Sequence, residues 1–195
     1  MPLLEQGNIE KVSFSAEKIS ESFVEFIEDG YDVITLTSSC ALMMKYEWPL
    51  ILPDNNSVKL LSENTYDIDE YIVDISKNEG LVEGMQPVDG GISLHLACHS
   101  RAQNMGAKSN ELLKLIPDAD ISIVERCSGH GGTFGVLSPT HDLARKVGKP
   151  AARQVAKVDP SFVISSCPLA SKHLSQITKE DLSLIHISEP TRQLC

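Results

Sequence analysis

Residues 121–136 read ISIVERCSGHGGTFGV. Ile121, Ser122, Ile123 and Val124 are too short a run for a helix and read as a buried strand. The next twelve residues hold Cys127, His130 and the glycines 129, 131, 132 and 135. Glycine at that density means a backbone that turns tightly or approaches something closely, since only glycine takes positive φ without strain. A thiol placed just past a strand and ahead of such a loop is a soft ligand or a nucleophile. Two more thiols flank it, Cys98 in HLACHSR and Cys167 in ISSCPLA. These three are expected to meet in space around a metal centre.

The surrounding pattern supports that placement. Residues 92–97 (ISLHLA) and 161–164 read as strands, each running into its cysteine. Helices are expected over 104–116, over 140–158 with a kink or division at Gly148 and Pro150, and from Pro168, a proline at a helix start, to 177. Upstream, residues 8–30 carry Ile9, Val12, Phe14, Ile19, Phe23, Phe26 and Ile27 at helical spacing. Residues 31–37 (YDVITLT) read as a strand that ends at Cys40. Short helices are expected at 57–62 and 67–78, and the loop 80–91 is the best internal boundary. Strands alternating with helices predict an α/β fold with a mostly parallel sheet. In such sheets ligands bind beyond the carboxyl ends of the strands, where all four cysteines fall. The alternative is four cysteines that are merely core.

Composition narrows the partners. The chain has 195 residues, 42% of them hydrophobic and 23% charged, as expected of a globular protein with a core. A net charge of -10 argues against nucleic acid. No apolar run is long enough to span a bilayer, and residues 1–11 lack the basic-then-apolar pattern of a signal peptide. Five cysteines in that setting point to a reducing compartment, where spaced cysteines serve metals or redox chemistry. The expected location is the cytoplasm, with peripheral attachment at the inner face of the cytoplasmic membrane through a partner.

The chain also repeats itself. YDVITLTSSCALMMK and PSFVISSCPLASK are both a strand, then Ser-Ser-Cys, then a turn into a helix, and a long helix precedes each. The predicted organisation is therefore two related modules, residues 1–83 and 84–181, of parallel strands alternating with helices. The second copy has strand–cysteine units upstream, at Cys98 and Cys127, and the first has none. That predicts a first module truncated at Met1. At the other end, LSLIHISEPTR matches one reading frame of a sequencing-library adapter, so residues 182–195, with His186 and Cys195, are expected to be an artefact.

At CHSRAQ, CSGHGGTFG and SSCPLA the sequence resembles the cysteine-rich CCG iron–sulfur domain family. That family includes the B subunit of heterodisulfide reductase and the C subunit of anaerobic glycerol-3-phosphate dehydrogenase. The likeness covers about residues 1–181. Its module runs as a lone Cys, a Cys-Cys-Gly turn and a Cys-x-x-Cys. Position by position, Cys98 matches the lone cysteine, Cys127 the first of the pair and Cys167 the first of the Cys-x-x-Cys. Ser128 and Ala170 stand where the other two would be. Cys40 matches the Cys167 position in the first module, with Met43 in place of its partner. The resemblance implies an iron–sulfur subunit relaying electrons between a flavin-containing dehydrogenase, or other redox subunit, and a quinone or thiol acceptor.

The three cysteines kept leave open a [3Fe–4S] centre, or a [4Fe–4S] cluster whose four protein ligands are three thiolates plus one nitrogen or oxygen donor. His99 and His130 are the candidates, either as ligand or as hydrogen-bonding neighbours. Gly129, Gly131 and Gly132 would admit backbone N–H groups to the sulfurs, and Arg101 would offset the cluster's negative charge. Two other functions stay open: a thiol/disulfide oxidoreductase acting at the centre, and a zinc-binding or cluster-free scaffold. A phosphate-binding reading of the glycine loop is weak, as no G-x-G-x-x-G or Gly-Lys-Ser/Thr occurs.

Overall fold

The computed structural model describes residues 2–81 and 84–178. The tail at 182–195, with His186 and Cys195, lies outside the described residues. The chain forms two compact units, Met1–Tyr71 and Ile72–Cys195.

The first unit is mostly helical. Its elements are α1 (Pro2–Glu5), α2 (Ile9–Glu28), β1 (Val33–Thr35), α3 (Ser38–Leu42), a π-helical turn (Met43–Glu47), α4 (Trp48–Ile51), α5 (Asn56–Glu63) and β2 (Thr65–Asp67). Helix α6 (Ile68–Asn78) starts in this unit, and the division falls within it. Helix α2 begins where the Asn8 side chain accepts the Lys11 N–H at 3.3 Å, an ordinary N-cap. Val12, Ala16 and Ile27 of α2 close over Trp48, Val58 and Leu61. The predicted apolar face of α2 is only partly used, because Ile9, Phe14, Ile19 and Phe26 are exposed. Strands β1 and β2 pair in parallel, Val33 opposite Thr65 and Thr35 opposite Asp67. Nothing in the sequence predicts strand β2: three residues between two helices carry no readable period.

The second unit is a three-stranded parallel sheet in the order β4-β3-β5, with β3 (Ile92–His95) between β4 (Ile121–Val124) and β5 (Phe162–Ser165). Ile92 lies opposite both Ile121 and Phe162, and His95 opposite both Val124 and Ser165. The three strands therefore end level. Parallel strands need crossovers, and helices supply them: α7 (Cys98–Ala102) and α8 (Lys108–Leu113) after β3, α9 (Ser138–Lys157) after β4, and α10 (Pro168–Thr178) after β5. Central β3 is buried along its whole length, as a strand covered on both faces must be. Val124, Ala151, Ala152, Val155, Val163 and Leu174 form one core, and Ile92, Leu94, Leu96, Leu113 and Ile164 another.

Two helix predictions are corrected. The helix predicted over 104–116 is confined to α8, Lys108–Leu113, because Asn104 (φ 54) and Gly106 (φ 79) leave the helical region ahead of it, and α7 is a separate short helix before it. The helix expected to divide near Gly148 and Pro150 runs unbroken from Ser138 to Lys157. Pro150 has no N–H for the carbonyl of Lys146, but both residues are exposed, where water can take that role. No helix among the described residues is long and apolar enough to cross a membrane.

Candidate functional site

Level strand ends explain why distant cysteines gather. Cys98 and Cys127 each lie three residues past their strands, and Cys167 two past its own. All three, with Ala97, His99, Ser128, His130, Gly131 and Ala170, line one cavity of about 70 Å³. Cys98 and Cys127 are exposed and Cys167 is buried. Cys40 lies in the first unit and is not among the lining residues.

Each sulfur has donors near it. Gly129 donates its backbone N–H to Cys127 Sγ at 3.4 Å. Arg101 Nη2 is 3.8 Å from Cys98 Sγ. Cys167 immediately precedes α10, and its sulfur takes the N–H groups of Leu169 and Ala170, two of the donors that a helix start leaves without intrahelical partners. Burial pushes the Cys167 thiol up, and those backbone donors pull it part of the way back. His130 joins the set: its Nδ1 lies 2.9 Å from Ser128 Oγ and its Nε2 3.9 Å from Cys167 Sγ. His99 lines the cavity without a direct link of that kind. Gly132 lines a neighbouring cavity rather than this one.

The glycine loop is shaped by close approach. Gly129 has φ +83, and a Cβ there would stand 2.2 Å from the Ala144 carbonyl oxygen. A Cβ on Gly148 would stand 2.3 Å from the Ser128 carbonyl oxygen. Two glycines thus let the loop lie directly on α9. Gly131 and Gly132 also have positive φ, 44 and 54.

One residue escaped the sequence reading. His95 ends β3 and is 1% exposed. Its Nε2 lies 2.9 Å from the Arg126 carbonyl, which only accepts, so Nε2 carries the proton. Its Nδ1 then accepts from Ser165 Oγ at 3.0 Å, and Ser165 Oγ accepts from the Cys167 N–H at 3.3 Å. A single imidazole ties the ends of all three strands together. Burial, with Arg101 adding to it, holds His95 below the usual histidine range. A histidine inside the otherwise apolar run ISLHLA was the available signal.

No group of three or more His, Cys, Asp or Glu among the described residues converges on a single ion. The thiols stand on three separate strand ends, around the cavity instead of on a common point.

Residues 92–174 match the family model described as the cysteine-rich domain CCG. The chain is 27% identical over 192 residues to the B subunit of fumarate reductase (CoM/CoB) from Methanothermobacter marburgensis, covering 95% of this chain and 35% of that protein. It is 24% identical over 169 residues to the C subunit of anaerobic glycerol-3-phosphate dehydrogenase from Escherichia coli, covering 86% of this chain and 42% of that one. It is 30% identical over 149 residues to an uncharacterized iron-sulfur protein of Methanocaldococcus jannaschii, covering 75% and 27%. The chain thus spans less than half the length of each of these three relatives.

Proposed function

Because this chain belongs to the CCG family through its cysteine-rich domain at residues 92–174, we propose that it is the iron–sulfur part of an oxidoreductase. In this reading it passes electrons between a flavin-containing dehydrogenase and a quinone or thiol acceptor. The observation that carries the reading is the meeting of Cys98, Cys127 and Cys167 at one cavity on the level ends of three parallel strands.

The residues present fit an iron–sulfur cluster by their chemistry. Each iron of a cluster takes its own thiolate, so the ligands need not converge on one point. Cys98, Cys127 and Cys167 would hold it, most simply as a [4Fe–4S] centre whose fourth ligand is His130 or His99. When bound, the cluster would supply a one-electron carrier. The chain's own residues tune that carrier. Backbone N–H groups of residues 129, 169 and 170 point charge at the sulfurs, which favours the reduced, more negative state. Arg101 adds a positive charge beside Cys98. His95 fixes the relative positions of the strand ends. In the proposed setting the chain works in the cytoplasm, reaching the membrane face only through a partner protein.

The test is anaerobic purification of the protein with iron and sulfide analysis. Broad visible absorbance that bleaches on reduction, with an EPR signal in the reduced or oxidised state, is the expected result. A colourless protein that stays colourless after anaerobic reconstitution with iron and sulfide sinks the proposal.

A further inference from the structure

The charge of the chain is divided unevenly. Residues 1–71 hold fourteen acidic and four basic side chains, so the entire net charge of -10 lies there. Residues 72–195 hold thirteen of each. In that balanced part the basic residues concentrate on α9, which carries five of them against Asp142 alone. Arg145, Lys149, Arg153 and Lys157 recur every four residues and form one ridge along the helix. The opposite side of α9, with Ala144, Gly148, Ala151 and Val155, is the buried one. Lys149, Arg153 and Lys157 are exposed, and among the described residues no carboxylate pairs with the ridge. Arg145 reaches the Gln176 carbonyl at 3.5 Å. Like charges at that spacing repel one another, so the ridge is held at a cost unless an anionic surface meets it. Exposed Leu143 and Val147 flank it.

Helix α2 carries the complement. Glu10, Phe14, Glu17, Glu21, Glu25 and Glu28 follow one another at intervals of three or four residues and so share one face. All six are exposed, Phe14 at 68%. Glu17 accepts from Asn55 Nδ2 at 3.2 Å, and among the described residues no cation pairs with these carboxylates. Lys11 and Lys18 are the only basic residues of α2. Both helices are 20 residues long.

We propose that α9 of one molecule docks on α2 of a second copy of this chain. The cations of the ridge face the row Glu17, Glu21, Glu25 and Glu28, whose spacing matches theirs, and Phe14 packs on the apolar flank. The interface is heterologous, joining different surfaces of the two copies. A nucleic acid or an anionic membrane would also meet the ridge, but each would repel residues 1–71, which carry the whole net charge. A second copy offers that acidic region as the partner. Neither helix lines the thiol cavity, so the pairing stands independently of the proposed cluster.

Sedimentation velocity of the full chain under reducing conditions tests it, with or without iron bound. In about 20 mM salt the mass should rise with protein concentration to a dimer or larger, and 0.5 M salt should return the monomer. Two exposed charge reversals, Lys149→Glu with Arg153→Glu and Glu21→Lys with Glu25→Lys, should each weaken self-association by roughly tenfold or more. Mixing the two variants should restore it, because each then offers the face that the other lacks. Zero-length carbodiimide cross-linking of mixed light and heavy-isotope wild-type chains should join Lys149 or Lys157 of one copy to Glu21 or Glu25 of the other. A monomer at every salt concentration would overturn the proposal, as would association that salt does not weaken. Loss in the α9 variant alone would overturn it too, as would capture of the monomer by phosphatidylserine vesicles through the same lysine and arginine.

Discussion

The two Ser-Ser-Cys segments share a sequence but not a conformation. In the first unit Ser38, Ser39 and Cys40 are already the opening turn of α3, and the Cys40 N–H donates to the Thr37 carbonyl at 2.8 Å. In the second, Ser165 is still the last residue of β5, and Cys167 precedes the helix. The residue that follows makes the difference. Pro168 fixes the first helical position and disfavours helical backbone at the residue before it. Ala41 does neither, so α3 starts earlier. Cys167 is thereby left where its sulfur takes the N–H groups of the helix start, whereas Cys40 sits inside a helix whose donors lie behind it. A repeat that is plain in sequence has one member whose sulfur receives the N–H groups of a helix start and one that sits inside a helix.

The largest test of that contrast is a pair of substitutions. Cys167→Ser should abolish iron binding and visible absorbance in the reconstituted protein, as should Cys98→Ser and Cys127→Ser. Cys40→Ser should leave both unchanged. Equal loss in the Cys40 and Cys167 variants would mean that the two segments serve one centre, and the distinction drawn from Pro168 would fail.

Glycines sharpen the same comparison. Gly30 and Gly129 both have positive φ, 88 and 83, but nothing lies within 4 Å of a Cβ on Gly30. Gly30→Ala should cost only the left-handed backbone penalty, about 1 kcal/mol. Gly129→Ala adds a collision with the backbone of α9 and should cost about 3 kcal/mol in denaturant unfolding. A similar cost for both would show that the loop does not need to lie on α9.

Much of the second unit was legible because its strands lie in short, largely apolar runs, ISLHLA at 92–97, ISIV at 121–124 and SFVI at 161–164, each followed within three residues by a cysteine. Those runs placed all three thiols at one sheet edge. What sequence did not reveal was register, the feature that makes the strand ends level and sets Cys98, Cys127 and Cys167 around a common space. It also gave no sign that Asn104 and Gly106 would take positive φ and hold back the start of α8 to Lys108. Strand β2 and the role of His95 were hidden for a related reason: both depend on pairing with residues far along the chain, and local periodicity carries no record of that. The exposure of Phe14 and Phe26 likewise follows from how much of α2 the first unit covers, which periodicity does not state.

Histidine separates the units by pH. Residues 1–71 contain none, whereas the second unit buries His95 and His173, both held below the ordinary value of 6.5. The unfolded chain therefore takes up protons before the folded one as pH falls. The neutral-ring contribution to stability is complete above about pH 6.5 and is lost progressively as pH drops through 6.5 toward the depressed folded values. Carboxylates titrate lower, so pH 7.5 against 5.5 isolates the histidines. Hydrogen exchange by mass spectrometry should show β3, β5 and α10 losing protection at pH 5.5 while α2 and α5 keep theirs. Equal loss in α2 and α5 would remove the histidines as the cause.

The smallest effect is in the ion pairs. Lys45 and Glu70, in the first unit, meet at 2.6 Å with side chains only 12% and 19% exposed. Lys77 and Glu111, in the second, meet at 2.7 Å but are 58% and 39% exposed. The separations are nearly equal, so any difference in worth comes from solvent. Water screens the second pair, and ordering two long side chains offsets most of what remains. Removing one partner of the first pair leaves a half-buried charge with less water to solvate it. Lys45→Met should cost about 1–2 kcal/mol in denaturant unfolding, nearly independent of salt. Lys77→Met should leave the unfolding midpoint unchanged within error at 0.5 M salt. A larger loss for Lys77→Met would mean that separation, and not screening, sets the value of these pairs.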